Sequence, residues 1–529
     1  MVSIGVERAC CARGRRPTST VVAFVALVLL GAAGCGSGGG SDSSSAPVID
    51  EPRVVRENRK PGTDAWQFWR YGYERGDDVH EQVKAYASLT SVNRGEVLTL
   101  HVSVNPPQQY SIDVYRIGWY GGQGGALVST MGPFDGTTQP PCPLDPVTGL
   151  IGCDWAPSVD LAVPATWTSG IYLGVVRNAA RYANYVVFVV RDDGHVPELM
   201  FQQTVTTYQA YNHYPADGVR GKSLYGSSFG APTIAGSTRA VRVSFDRPYE
   251  GDGAGRFLEW EINFVRWLER SGYDVGYTTD VDTHENPGAL LATRGLLVVG
   301  HDEYWTREMY DGIERARDGG VHLGFFGANA AYWQIRFAPS PSGQPNRIIE
   351  CYKDAALDPV QGPTTTVRFR DEPVARPEQT LVGIQTGDII VNGFYGAYAD
   401  YTIENADHWI YAATGLRNGD VVPGIVGYET DLVYPEVPLP AHVPDTFTIL
   451  SSSPYMSVTG NPTYAQSSVY QAPSGAWVFA AGTIGWSLGL DDWGARGAAD
   501  ARLQRTTRNV LDRFVGPESA ARAATFAAD

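Results

Sequence analysis

Positive charge is in short supply in this chain of 529 residues: 41 Lys and Arg stand against 57 Asp and Glu, a formal charge of -16 at pH 7. Phosphate backbones and anionic bilayer surfaces are held by basic faces, so nucleic-acid binding and adsorption to a membrane surface are excluded as first readings. The sequence contains no P-loop or H-E-x-x-H pattern, which removes NTPase and zincin chemistry as first readings. Its main apolar run, Val21 to Leu30, falls short of the roughly 20 residues of a spanning helix. Gly (60), Pro (34), Tyr (29) and Trp (13) are plentiful. Turn formers mixed with aromatics at 43% hydrophobic content describe a β-rich globular protein and exclude disorder, collagen and a plain helical bundle. At roughly 100 to 200 residues per domain, the length predicts two to four domains.

The N-terminus reads as an export signal. Arg8, Arg13, Arg15 and Arg16 precede the apolar run, and Gly31-Ala32-Ala33-Gly34-Cys35 follows it, as in a bacterial lipoprotein signal in which Cys35 is acylated. An ordinary cleaved secretory signal is the alternative, and Arg15-Arg16 admits Tat export. Residues 1–35 are thus assigned to signal and lipobox, and 36–70 to a flexible tether that opens on Gly36-Ser37-Gly38-Gly39-Gly40. Loss of the signal takes away four arginines and one glutamate, so the mature chain is more acidic still. The predicted location is outside the cytoplasm, anchored to the membrane by lipid alone, or secreted. In that oxidising setting Cys142 and Cys153, which bracket a short loop, are placed to form a disulfide. Cys351 is left as a buried structural thiol.

Fold class is α/β plus all-β. Alternation in Thr99 to Val104, Ser111 to Ile117, Ile171 to Val176 and Tyr185 to Val190 predicts a β-sandwich over 75–195. From 196 to 518 the pattern turns to α/β. Leu258, Ile262, Val265 and Leu268 repeat at helical spacing up to Ser271-Gly272. Leu296-Leu297-Val298-Val299 reads as a doubly buried strand. Thr306 opens a helix with Trp305, Met309, Ile313 and Ala316 on one face, and Val321 to Phe326 is the next strand. Further strands are expected at Thr366 to Phe369, Asp388 to Val391, Ile425 to Tyr428 and Trp477 to Ala481, with a closing helix through Leu503, Val510, Leu511 and Phe514.

The sharpest local signal is Gly300-His301-Asp302-Glu303-Tyr304-Trp305, between a buried strand and a helix start. Ligands and catalytic groups of open α/β sheets sit at the carboxyl ends of strands, and this turn offers metal ligands and acid/base groups together. A capping cluster that only fixes the loop is the plain alternative. The neighbouring strand delivers Gly327-Ala328-Asn329-Ala330-Ala331-Tyr332-Trp333 to the same edge, where Tyr332 and Tyr304 could converge; Gly427-Tyr428-Glu429-Thr430-Asp431 supplies another carboxylate. Gly226-Ser227-Ser228-Phe229-Gly230 fits G-x-S-x-G but lacks a preceding strand and a following helix, so it is discounted. Asp280 to Glu285 has some calcium-loop character without the required glycine.

Together with Tyr115-Arg116-Ile117-Gly118-Trp119-Tyr120-Gly121-Gly122, these segments resemble the family around the N,N-dimethylformamidase large (beta) subunit. The resemblance implies a glutamine-amidotransferase-like parallel-sheet domain after the β-sandwich, and a metal-dependent hydrolase of a non-peptide C–N bond. It also implies one mononuclear iron held by Tyr304, Tyr332 and Glu429, with His301 and Glu303 in orientation or proton transfer. Ferric iron is the kind of Lewis acid beside which phenols of pKa about 10 ionise at neutral pH, and it activates water. The expected substrate is a small amide or an envelope-derived compound. The competing expectation is a non-catalytic surface protein that keeps the fold and binds a glycan or envelope polymer.

Overall fold

The computed structural model describes residues 51–529 apart from 444, 495, 496, 528 and 529. The expected signal, Cys35 and the tether up to residue 50 lie outside the described residues. Among the described residues, no helix is long and apolar enough to cross a membrane.

From residue 51 the expected tether is folded. Arg53–Asn58 is helical, and Val54, Val55, Trp66 and Phe68 are buried. The reason is compositional: Gly and Ser give way at Ala46 to a stretch holding two valines and an aromatic pair, enough apolar surface to dock.

Beyond it, a six-stranded sheet runs in the order Glu74–Arg75, Tyr182–Arg191, Gly170–Asn178, Gln109–Ile117, Gly125–Asp135, with Ser91–Asn93 also paired to Tyr182–Arg191. A three-stranded sheet of Val83–Ala87, Val97–Val104 and Val159–Ala162 shares a core with it. Val83, Leu98, Leu100, Ile112, Val114 and Phe188 meet there, the inward positions of the alternating runs. Cys142 and Cys153 are disulfide-bonded with Cα atoms 4.3 Å apart.

A seven-stranded sheet follows, in the order Val275–Thr279, Leu199–Gln203, Gly295–His301, His322–Ala328, Trp477–Ala480, Pro462–Gln471, Thr448–Met456. Its first five strands are parallel, Pro462–Gln471 runs antiparallel to them, and Thr448–Met456 runs antiparallel to Pro462–Gln471. Every residue of Gly295–His301 is buried, as its unbroken apolar run demands. The helix Arg307–Asp318 starts at Thr306, whose side chain accepts from the Met309 amide, and ends at Gly319. Met309, Ile313 and Ala316 cover Leu296 and Val298.

Three further readings change. Leu258 to Leu268 is two helices, Phe257–Trp260 and Ile262–Arg270, joined at Glu261. Thr366 to Phe369 is no strand; a lone bridge links Arg368 to Trp333, because the Asp358 carboxylate captures both the amide and the hydroxyl of Thr366 at 2.6 Å. Asp280–Glu285 is a helix, with Asp282 in a capping box on Thr279 and 2.7 Å from Arg191. Its carboxylates therefore serve the helix start and a salt bridge.

Candidate active site

Gly295–His301 and His322–Ala328 run parallel with His301 opposite Ala328, so their following turns emerge at one edge. The two strands can pair this closely only because Gly327 lacks a Cβ: one built there lies 2.0 Å from the Gly300 carbonyl oxygen. Gly300 itself has φ +74°, and its Cβ would strike Trp260.

His301 is completely buried, between the rings of Trp260 and Tyr211 at 5.1 and 5.3 Å. Its Nε2 lies 3.2 Å from Glu303 Oε2 and 3.1 Å from Glu429 Oε2. Burial alone disfavours the charged ring; the Glu429 and Glu303 carboxylates overcome it and push the imidazole pKa up to about 10. The Glu303 carboxyl is correspondingly lowered against its own burial by the hydrogen bond from His301.

A hydrogen-bond chain leads away from Glu303. Its Oε2 accepts from the Tyr225 hydroxyl at 2.5 Å and the Tyr211 hydroxyl at 3.1 Å. Tyr304 donates to the Tyr225 oxygen at 2.8 Å, and Lys353 Nζ donates to the Tyr304 oxygen at 2.7 Å. Burial raises all three phenols well above 10 and pulls the lysine down to about 8. On the other side, Asn329 Nδ2 donates to Glu429 Oε2 at 2.6 Å, and its Oδ1 accepts from Thr386 at 2.6 Å. The amide of Asn329 is fixed by Asp431 at 2.9 Å. Tyr304, Tyr225, Glu303, His301, Glu429 and Asn329 thus form one continuous buried network of proton donors and acceptors.

A family model described as N,N-dimethylformamidase beta subunit-like, C-terminal, matches residues 111–500, most of the chain. The chain belongs to that family. An N,N-dimethylformamidase beta subunit of Alcaligenes sp is 22% identical over 442 residues, covering 70% of this chain and 56% of that protein. One of Paracoccus aminophilus is 24% identical over 312 residues, covering 52% and 39%. The chain therefore spans about half the length, or less, of these relatives. Among solved structures, a Paenibacillus cycloisomaltooligosaccharide glucanotransferase aligns over 60% of this chain and 61% of its own at 8% identity with a TM-score of 0.17, too low to bear on the fold.

Within this dimethylformamidase-like chain, Tyr304 and Glu429 both belong to the buried network, whereas Tyr332 does not join it. The Tyr332 backbone amide donates to the Glu303 carbonyl at 2.9 Å, but its half-buried ring faces the guanidinium groups of Arg370 and Arg368 at 5.1 and 5.9 Å. Among the described residues, no group of three or more His, Cys, Asp or Glu is placed to hold a metal ion. Oxygen donors suit a hard cation. Here they comprise Tyr304 and Glu429, with Glu303 between them in the hydrogen-bond chain. Of the three implied iron ligands, Tyr304 and Glu429 lie along one hydrogen-bond chain, and Tyr332 lies against the arginines instead.

Sequence reasoning missed Tyr211, Tyr225 and Lys353. The first ends the helix Val205–Tyr211, and the others sit in irregular segments 79 and 49 residues from Tyr304. No local pattern marks them.

Proposed function

We propose that this chain is an exported, lipid-anchored hydrolase that cleaves a small carboxamide at the Tyr304, Glu303 and Glu429 network. On this reading the chain keeps a glutamine-amidotransferase-like scaffold behind a β-sandwich, and iron is its cofactor. The supporting observation is the buried network itself, at the carboxyl edge of a parallel sheet, in a chain whose relatives are named dimethylformamidase beta subunits. That name also brings a partner subunit into the proposal.

Tyr304, Glu303 and Glu429 would hold the iron, which when bound supplies Lewis-acid activation of water and of the amide carbonyl. The chain's own residues set the rest. Asn329 fixes the Glu429 carboxylate through one oxygen. His301, flanked by two carboxylates, holds a proton at Nε2 and can pass it to the leaving amine. Lys353 holds the Tyr304 oxygen. The rings of Trp260, Tyr211 and Tyr428 close around His301 and keep bulk water from it.

Purified protein is expected to carry near-stoichiometric iron and a visible tyrosinate-to-iron charge-transfer band. Tyr304→Phe removes the band and Glu303→Gln lowers iron content by roughly ten- to a hundredfold, while Tyr332→Phe keeps both. Loss of the band in Tyr332→Phe would return the second phenolate to that residue. Wild-type protein that folds without metal or colour would overturn the hydrolase reading in favour of a surface binding protein.

A further inference from the structure

We propose that Ser227, His213 and Glu250 form a second hydrolytic centre, separate from the buried network, in which Ser227 is the nucleophile toward short acyl esters. His213 Nε2 lies 2.8 Å from Ser227 Oγ, and its Nδ1 lies 3.5 Å from Glu250 Oε2. A carboxylate at Nδ1 and a hydroxyl at Nε2 are the two contacts that make an imidazole a general base for a serine. The carboxylate selects the tautomer with hydrogen on Nδ1, leaving the Nε2 lone pair for the hydroxyl.

The framework around these three groups is built rather than incidental. Arg247, fully buried, donates to the carbonyls of Asn212 at 2.9 Å, Tyr214 at 3.2 Å and Lys222 at 3.0 Å. It thereby staples the His213 segment to the serine loop. Asn212 Oδ1 accepts from the Glu250 amide at 2.9 Å. Gly221 lets the loop approach: a Cβ there would lie 2.1 Å from the His213 carbonyl oxygen.

Three serines share the loop, and their environments differ. Ser228, the central serine of the G-x-S-x-G match, is buried and donates to the Tyr225 carbonyl at 2.8 Å. Ser223 also reaches His213 Nε2 at 2.8 Å, but it is buried and its oxygen accepts from the Tyr225 amide at 3.2 Å. Ser227 is exposed, so it alone can meet a dissolved acyl donor. Among the described residues, the amides of Gly226 and Ser227 have no hydrogen-bond partner in the protein. The Ser228 amide is taken by the Tyr225 carbonyl at 3.3 Å, so Gly226 and Ser227 are the neighbouring N–H groups left to meet a developing oxyanion.

In the first step Ser227 Oγ bonds to the ester carbonyl carbon as its proton passes to His213 Nε2. The carbon–oxygen bond to the alcohol then breaks, and the departing oxygen takes that proton. Water adds to the acyl-serine, giving one proton to Nε2; the carbon–Oγ bond breaks and Oγ takes the proton back, releasing a carboxylic acid. Glu250 also lines a surface cavity of about 630 Å³ with Asp77, Asp78, Asp252, Glu259, Arg75 and Arg256, a cavity that neither Ser227 nor His213 lines.

The test treats the full chain with a fluorophosphonate and maps the adduct by peptide mass spectrometry, with p-nitrophenyl acetate as the turnover probe. Wild type is expected to carry one adduct, on Ser227. Ser227→Ala, an exposed change, abolishes it with the thermal midpoint unchanged. His213→Asn slows labelling by about a hundredfold or more, Glu250→Gln slows it less, and Ser223→Ala leaves the adduct on Ser227. Absence of labelling in folded wild type, or an adduct on Ser223 or Ser228, overturns the proposal. Iron content is unaffected by Ser227→Ala, so failure here is distinguishable from failure of the amidase reading.

Discussion

At the scale of single residues, burial decides what each titratable group does. His322 shows it away from either site. Its Nδ1 accepts the Trp477 amide at 2.8 Å, and its ring stacks on Phe514 at 5.0 Å. Burial, then the charges of Arg294 and Arg513, lower its pKa to about 4. A histidine depressed in the folded state binds its proton more readily in the unfolded chain, so stability falls as pH drops from about 6.5 toward 4. Allowing for its partial exposure, the loss between pH 7 and 5 is about 1–2 kcal/mol. His322→Gln should flatten the dependence of the urea midpoint on pH over that window; an unchanged slope would show that other groups carry it. Cys351 is equally governed by burial, a free thiol pushed up to about 12, which leaves it unreactive as a nucleophile.

At the scale of elements, a buried ion pair ties the strand Gln109–Ile117 to the helix Ile262–Arg270. Arg116 donates to both oxygens of Glu269 at 2.8 and 2.6 Å, and both side chains are fully buried. Glu269 also accepts from Tyr277 at 2.8 Å and Asn58 at 2.7 Å. Removing one partner strands a buried charge, so Glu269→Leu should cost about 3–5 kcal/mol, and adding Arg116→Met should recover much of it. Denaturant midpoints of the two single variants and the double variant measure this; additive losses would refute the coupling. The same elements show what was legible beforehand. Capping residues, alternating runs and the doubly buried Leu296 to Val299 segment appear in the sequence because each depends on neighbours a few positions away. Thr366 to Phe369 misled because a remote carboxylate, Asp358, bends it.

At the scale of the whole molecule, one apolar cluster extends from Val54 and Trp66 through Ile117 and Tyr185 to Phe264, Trp486 and Val515. The sheet region near the N-terminus and the parallel-sheet region thus share core. Calorimetry should show a single cooperative transition for residues 51–529, and two resolved transitions would contradict that sharing.

The sequence by itself determined the periodic elements, the acidic surface and the placement of His301, Glu303 and Tyr304 beyond a buried strand. Only the tertiary structure decided which side chains meet them. Tyr225 and Lys353 come from irregular segments far along the chain, Tyr332 turns to Arg370 instead, and Ser227 rather than Ser228 faces His213. Local patterns follow from backbone geometry, whereas side-chain convergence depends on where loops of no fixed period are pinned. Here a buried arginine and a few glycines do the pinning.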